Sequence, residues 1–279
     1  MIIDAHCHAG RGDGFTAPWD TEAALDGYLR RAAAAGIGHT IVFPVFASDY
    51  AAANARLARI VAGLPRLLTG FCALHPQRDR TRLRAIIGQA AETYGFRGIK
   101  VHGAEAYPCR LTCALAAHYR MPILFDIYRR PERIEMLAWQ YPEVDFIVPH
   151  LGGFSDDWMT FHAVIDQLVR HPNVYADTSG VRYFDALAEA ARRAPDKLIF
   201  GSDGPLLHPG VELAKVRELH LPPTPRRMVL GGRIAQLTGR EDLFDNSPAR
   251  RQTLGDRPMG GGRPDGCGFD RSRADGAVW

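Results

Sequence analysis

The chain has few cysteines, little net charge and no long apolar run, and each shortage excludes something. Its five cysteines, Cys7, Cys72, Cys109, Cys113 and Cys267, are odd in number and hold no Cys-x-x-Cys pair. Cys109 and Cys113 have a spacing that suits one helix face, but no second pair completes a zinc knuckle. The set reads as free thiols in a reducing cytoplasm rather than as a disulfide framework. The net charge of +3, with a pI near 8.6, is too mild to argue for nucleic acid or a membrane surface as partner. No apolar run reaches the roughly 20 residues of a spanning helix. The N-terminus lacks the basic-then-apolar pattern of a signal peptide. The remaining composition, 46% hydrophobic and 23% charged over 279 residues, is that of a soluble globular protein. A small molecule is the partner it leaves, and homo-oligomerisation stays open.

What the chain does have is a regular alternation. Apolar runs of strand length recur at Ile2–His8, His39–Phe46, Leu67–Leu74, Gly98–His102, Pro122–Ile127, Asp145–Pro149, Asn173–Asp177 and Lys197–Ser202. Alanine- and leucine-rich stretches with interspersed charge separate them, among them Thr21–Ala35, Asp49–Ala62, Arg80–Tyr94, Pro131–Gln140 and Phe184–Arg193. Near-continuous apolar strands alternating with helices imply a parallel sheet covered by helices. Eight such units predict an α/β fold of the closed (β/α)8 barrel type over residues 1–245. An open doubly wound sheet would want a G-x-G-x-x-G turn after the first strand. The stretch from Ala9 to Pro18, expected to be a loop, offers Gly10, Gly12 and Gly14 instead. From Asn246 onward glycine, proline and arginine are dense and large apolar residues are few. Such a segment cannot bury enough surface to offset its ordering entropy, so 246–279 is expected to be a disordered tail.

In a barrel of this kind the chemistry lies where the strands end. The first strand ends in Asp4-Ala5-His6-Cys7-His8. Side chains alternate along a strand, so Asp4, His6 and His8 are expected on one face and Cys7 on the other. Strand four carries Lys100 and His102, strand five Asp126, strand six ends at His150, and strand eight ends at Asp203. Histidines and carboxylates converging on one mouth are hard to satisfy without a divalent metal, because buried charge must be paired or coordinated. A hydrogen-bonded polar cleft is the alternative.

The runs DAHCH, GIKVH, VPHLGG and FGSDGP, with Leu230-Gly231-Gly232 near the end of the barrel, together resemble the amidohydrolase superfamily, and most closely its amidohydrolase-2 branch. That branch holds metal-dependent hydrolases and lyases of the aminocarboxymuconate-semialdehyde decarboxylase type. The resemblance covers about residues 1–240 and implies that His6 and His8 are metal ligands. It implies further that Asp203 is both ligand and proton acceptor, and that His150 meets the reacting water or the substrate. Asp126 stands where the family usually has a strand-five histidine ligand, and Arg233 where it has an asparagine. Aspartate binds zinc through oxygen, so zinc remains the expected metal, with manganese the alternative. Lys100, His102, Arg129 and Arg182 would then face the substrate, with Arg130 beside them, and Asp4 would steady a ligand histidine. Hydrolysis of a small molecule is the function expected. A metal-dependent decarboxylase and a non-catalytic barrel with a degraded site are the alternatives.

Overall fold

The computed structural model describes residues 1–14, 22–154 and 157–244. Strand β1 (Ile2–Arg11) starts the barrel and runs past the point where the glycines predict a loop. Its last residues are held because Gly10 and Arg11 pair antiparallel with Ala23 and Glu22 of β2 (Glu22–Ala23). The rest of the expected loop lies partly outside the described residues. On its other edge β1 pairs parallel with β3 (Ile37–Pro44), which pairs with β4 (Leu68–Gly70).

The third apolar run is not one strand but two. Up to Gly70 it pairs with β3, and from Cys72 the segment β5 (Cys72–Ala73) pairs with β6 (Ile99–Val101). Phe71 sits at the change of partner, its N–H on the carbonyl of Val42 at 2.9 Å. The parallel order continues through β7 (Ile123–Phe125), β8 (Phe146–Val148), β9 (Val174–Asp177) and β10 (Leu198–Ile199). Closure follows from β10 back to β1: Ala5 N–H donates to Phe200 O at 3.0 Å, and Gly204 N–H to His6 O at 3.2 Å. The result is the expected α/β barrel.

Helices α1 (Leu25–Ala35), α2 (Tyr50–Gly63), α3 (Leu83–Gly88), α4 (Arg110–Tyr119), α5 (Pro131–Gln140), α6 (Trp158–Arg170), α7 (Phe184–Arg193) and α8 (Pro209–Glu218) lie between the strands in sequence. Their ends follow local chemistry. Gly36 closes α1 at φ 85°, a conformation that costs glycine nothing. The Asp49 carboxylate caps α2 by accepting from Ala51 N and Ala52 N. Pro131 opens α5, where a missing N–H is harmless.

Two cores result from strand alternation. Leu124, Ile147, Tyr175 and Ile199 fill the barrel interior with Ile3, Ala5, Ile41, Phe43 and Phe71. Their neighbours Ile123, Phe125, Val148, Val174, Ala176 and Leu198 pack outward among helix residues. Burying each large side chain contributes about 1.5–3 kcal/mol. The helix expected near the end breaks into α9 (Pro223–Arg227), a wide turn over Met228–Gly232, and α10 (Arg233–Leu237). The break falls at Gly231, φ 156°, where a Cβ would stand 3.1 Å from Ile3 N. The chain there lies hard against the barrel floor, and Ile234 and Ala235 of α10 complete the inner core. Residues 1–244 form one compact unit. The tail expected from Asn246 lies outside the described residues.

Candidate metal centre at the barrel mouth

Strict alternation fails in β1, and the failure builds the site. Asp4 is opposite Thr40 and Cys7 opposite Val42, so Ala5 and His6 together face the single residue Ile41. This is a β-bulge. Ile3 and Ala5 therefore face the inner core while Cys7 and Ala9 face the helices. Asp4 does not share a face with His6 and His8, contrary to expectation. Its carboxylate points outward, accepting from Tyr28 OH at 2.6 Å, from Ser202 N at 2.9 Å and from the Ser202 hydroxyl. It also takes the backbone N–H of His6 at 3.1 Å. Asp4 thus fixes the chain at His6 and ties β1 to the segment after β10, but does not touch the imidazole. Burial pushes its pKa up to about 6, against the hydrogen bonds from Ser202 and Tyr28.

His6 and His8 both turn to Asp203. His6 Nε2 lies 3.3 Å from Asp203 Oδ1 and His8 Nε2 3.4 Å from the same oxygen. His6 Nε2 is fully buried, and its approach to Asp203 is too far out of line to count as a hydrogen bond. The other ring nitrogen is committed: His6 Nδ1 is 2.7 Å from Asp177 Oδ2. A carboxylate only accepts, so Nδ1 carries the proton and the Nε2 lone pair faces Asp203 and His8. Two imidazole nitrogens and a carboxylate oxygen with no proton between them fit a cation. The carboxylate–histidine arrangement behind His6 is that of metal-ligating histidines.

The electrostatics agree. Burial alone would lower the pKa of His6, but Asp177 and Asp203 raise it to about 9. Without an ion, a proton takes the cation's place. Burial would raise Asp203, yet its contacts with His6 and His8 hold it well below the usual carboxylate range. His8 is lowered, by burial first. Asp203 stands in the left-handed region at φ 54°, as do His150 at φ 58° and Leu151 at φ 50°. Non-glycine residues there cost of order 1 kcal/mol each and collect at functional sites.

Asp177, at the end of β9, was not foreseen as a site residue. Its Oδ1 accepts from His150 N at 3.0 Å, Ser179 N at 3.0 Å and Ser179 Oγ at 2.6 Å. Ser179 in turn holds His150: Nδ1 is 3.0 Å from Ser179 O and 2.9 Å from Ser179 Oγ. The backbone carbonyl can only accept, so His150 also carries its proton on Nδ1 and presents Nε2, which makes no hydrogen bond among the described residues. The His6 and His150 rings are 4.9 Å apart. A second grouping of ligand atoms, His6, His150 and Asp177, is also close enough to hold an ion. Both oxygens of Asp177 are already occupied, so the His6–His8–Asp203 group is the better fit.

The other expected residues divide. Lys100 and His102 are buried on the inward face of the β6 strand end. Lys100 Nζ lies 5.0 Å over the Phe43 ring. Its pKa is lowered by burial, with Asp126, Asp177 and Asp203 opposing. His102 stacks on Phe46 at 4.0 Å and on His8 at 5.9 Å. Burial and Lys100 push it well below the usual range. Asp126 belongs to neither ligand group; its Oδ1 accepts from Tyr128 N at 2.9 Å. Arg129, Arg130 and Arg182 are exposed on the loops beyond. Arg129 Nε is 3.4 Å from Asp157, and Arg130 is 3.4 Å from Glu132. Arg129 and Arg130 also line a cavity of about 540 Å³ with Glu105, Tyr107 and Arg133.

A family model described as amidohydrolase matches residues 3–232. The chain belongs to the amidohydrolase-2 family. No curated protein matches its sequence. Among solved structures, the chain is similar to 5-carboxyvanillate decarboxylase from Sphingomonas paucimobilis, at TM-score 0.65 and 13% identity over 85% of this chain and 98% of that one. It is also similar to a dihydroxybenzoic acid decarboxylase from Polaromonas sp. JS666 with bound manganese, at TM-score 0.62 and 16% identity over 86% and 97%. An amidohydrolase from Burkholderia multivorans with bound zinc gives TM-score 0.69 and 16% identity over 86% and 99%. At these identities the likeness is one of fold. Membership of the amidohydrolase-2 family and the His–Asp cluster together mark a metal-dependent enzyme of the amidohydrolase superfamily. No helix among the described residues is long and apolar enough to cross a membrane.

Proposed function

We propose that this amidohydrolase-2 protein is a metal-dependent, non-oxidative decarboxylase of a small organic acid. The observation that carries the metal is the convergence of His6 Nε2 and His8 Nε2 on Asp203 Oδ1. Decarboxylation is preferred to the hydrolysis expected from sequence because similar folds include several decarboxylases. A divalent ion held by His6, His8 and Asp203 would supply positive charge to polarise a bound carboxylate or carbonyl. Zinc and manganese both suit this donor set.

The chain's own groups do the rest. In decarboxylation the C–C bond breaks, carbon dioxide leaves, and the electron pair remaining on carbon takes a proton. His150 is the proton carrier, because Ser179 occupies its Nδ1 and leaves Nε2 toward the mouth. Exposed Arg129 and Arg182 draw an anionic substrate to the opening. Hydrolysis remains the second reading, supported by the likeness to the zinc amidohydrolase. There Asp203 would take the proton of the attacking water and pass it to the leaving group.

The test is to load the protein with zinc or manganese and supply carboxylated aromatic acids, beginning with 5-carboxyvanillate and 2,6-dihydroxybenzoate. Carbon dioxide release that Asp203→Asn abolishes supports decarboxylation. Turnover of esters or amides with no carbon dioxide from any acid would favour hydrolysis. A preparation that binds no divalent metal under any loading would end both.

A further inference from the structure

Lys100 is 2% exposed, and nothing in the metal chemistry uses it. Its ammonium makes no hydrogen bond and no ion pair within 4.0 Å among the described residues. Its one close contact is the Phe43 ring. The carboxylates that influence it from a distance, Asp126, Asp177 and Asp203, are engaged elsewhere. Asp126 Oδ1 takes Tyr128 N, both oxygens of Asp177 are occupied, and Asp203 Oδ1 faces two imidazoles. An ammonium has three donors and no acceptor capacity. Burying one without an acceptor costs several kcal/mol. A residue serving only to balance charge would close on one of these carboxylates. Lys100 instead stands on the inward face of the mouth, beside His102 and the aromatic wall of Phe43 and Phe46.

We infer that Lys100 is the anchor for an anionic oxygen of the ligand, so that the mouth selects organic anions over neutral molecules of the same shape. This rests on the reading of the mouth as a substrate site. It adds a charge-reading group on strand four, separate from the His6–His8–Asp203 cluster. An anionic oxygen there meets up to three N–H donors. The body of the ligand lies against Phe43 and Phe46, where planar or apolar groups displace water. A bound water would also satisfy the donors, but it would not make binding depend on the ligand's charge.

The probes are benzoate and its neutral isostere benzamide. Binding is measured by calorimetry at pH 7, on zinc-loaded protein and on protein stripped with a chelator. The expected result is that benzoate binds and benzamide binds at least about tenfold more weakly, since a hydrogen bond to a charged group is lost. Lys100→Met keeps the length and removes the charge. It should weaken benzoate about ten- to hundredfold while leaving zinc content unchanged and benzamide unaffected. The benzoate–benzamide comparison on the unaltered chain stands even if the variant folds poorly. Equal binding of the two probes, no uptake of benzoate, or unchanged benzoate affinity in Lys100→Met would each overturn the inference. If zinc fails to bind but the Lys100 effect persists in stripped protein, the metal reading fails and this one stands. If zinc binds and the Lys100 effect is absent, the reverse holds.

Discussion

Replacing Asp177 by asparagine tests the site at one atom. The carboxylate accepts four hydrogen bonds: three at Oδ1 and the His6 Nδ1–H at Oδ2, 2.7 Å away. An asparagine has one oxygen. Three donors converge on the Oδ1 position, so the amide oxygen must go there and the NH2 group must face His6. An NH2 group can only donate, so Nδ1 must become the acceptor and the imidazole proton must move to Nε2. That proton then points at Asp203 and His8, where the ion belongs. Losing such a supporting partner alone costs ten- to a hundredfold in metal affinity, about 1.4–2.7 kcal/mol. The reversed tautomer adds to that, so the loss should reach the upper end. The assay is competition for zinc against a chromophoric chelator, with the melting temperature of the stripped proteins as the check on folding. Zinc affinity in Asp177→Asn within about threefold of the original chain would refute the assignment of the proton to His6 Nδ1. Complete loss of binding, far beyond a hundredfold, would instead make Asp177 a ligand itself.

Asp126→Ala should change zinc affinity by less than about threefold, measured by the same competition, because its oxygen is given to Tyr128 N; a larger loss would restore it as a ligand. His39 should make stability depend on pH. Burial lowers its pKa to about 4, so the folded protein keeps it neutral while the unfolded chain protonates it below about 6.5. The unfolded state binds more protons between these values, so stability falls as pH falls from 6.5 to 4. The loss from pH 7 to pH 5 should be about 2 kcal/mol from this residue, and urea denaturation of His39→Gln should show it reduced by that amount. Removing residues 246–279 should leave the melting temperature unchanged, since the barrel and its closing helix precede that point; a shortened chain that is insoluble would show the tail to be structural.

Much of this was legible in the sequence because the barrel repeats one physical pattern. Apolar runs between helical stretches placed all eight strand positions, and α5 and α7 fall on the residues expected for them. What the sequence hid depends on pairing. The division of the third run at Phe71 is a change of neighbour, and nothing in Leu67–Leu74 marks it. Asp177 ends its strand as Asp203 does, yet no motif around it signals that its carboxylate meets His6 across the mouth. Asp4 was placed on the wrong face because alternation was counted through Ala5 and His6 without the bulge. That bulge is set by register against β3, which a single strand does not encode.

The bulge also sets depth. Opposite Ile41 the strand spends two residues where its partner spends one, so His6 and His8 stand about one strand step, roughly 3.3 Å, higher in the barrel than a regular strand would put them. Deleting Ala5 would leave both imidazoles facing inward, because the remaining alternation from Ile3 to His6 and His8 is regular. They would sink by that step, however, away from Asp177 above and into the layer that Phe43 and Ile41 now fill. A chain one residue shorter would keep every ligand and every direction and still lose the centre. The vertical spacing between the packed floor and the reactive layer is therefore carried by a single extra residue in the first strand.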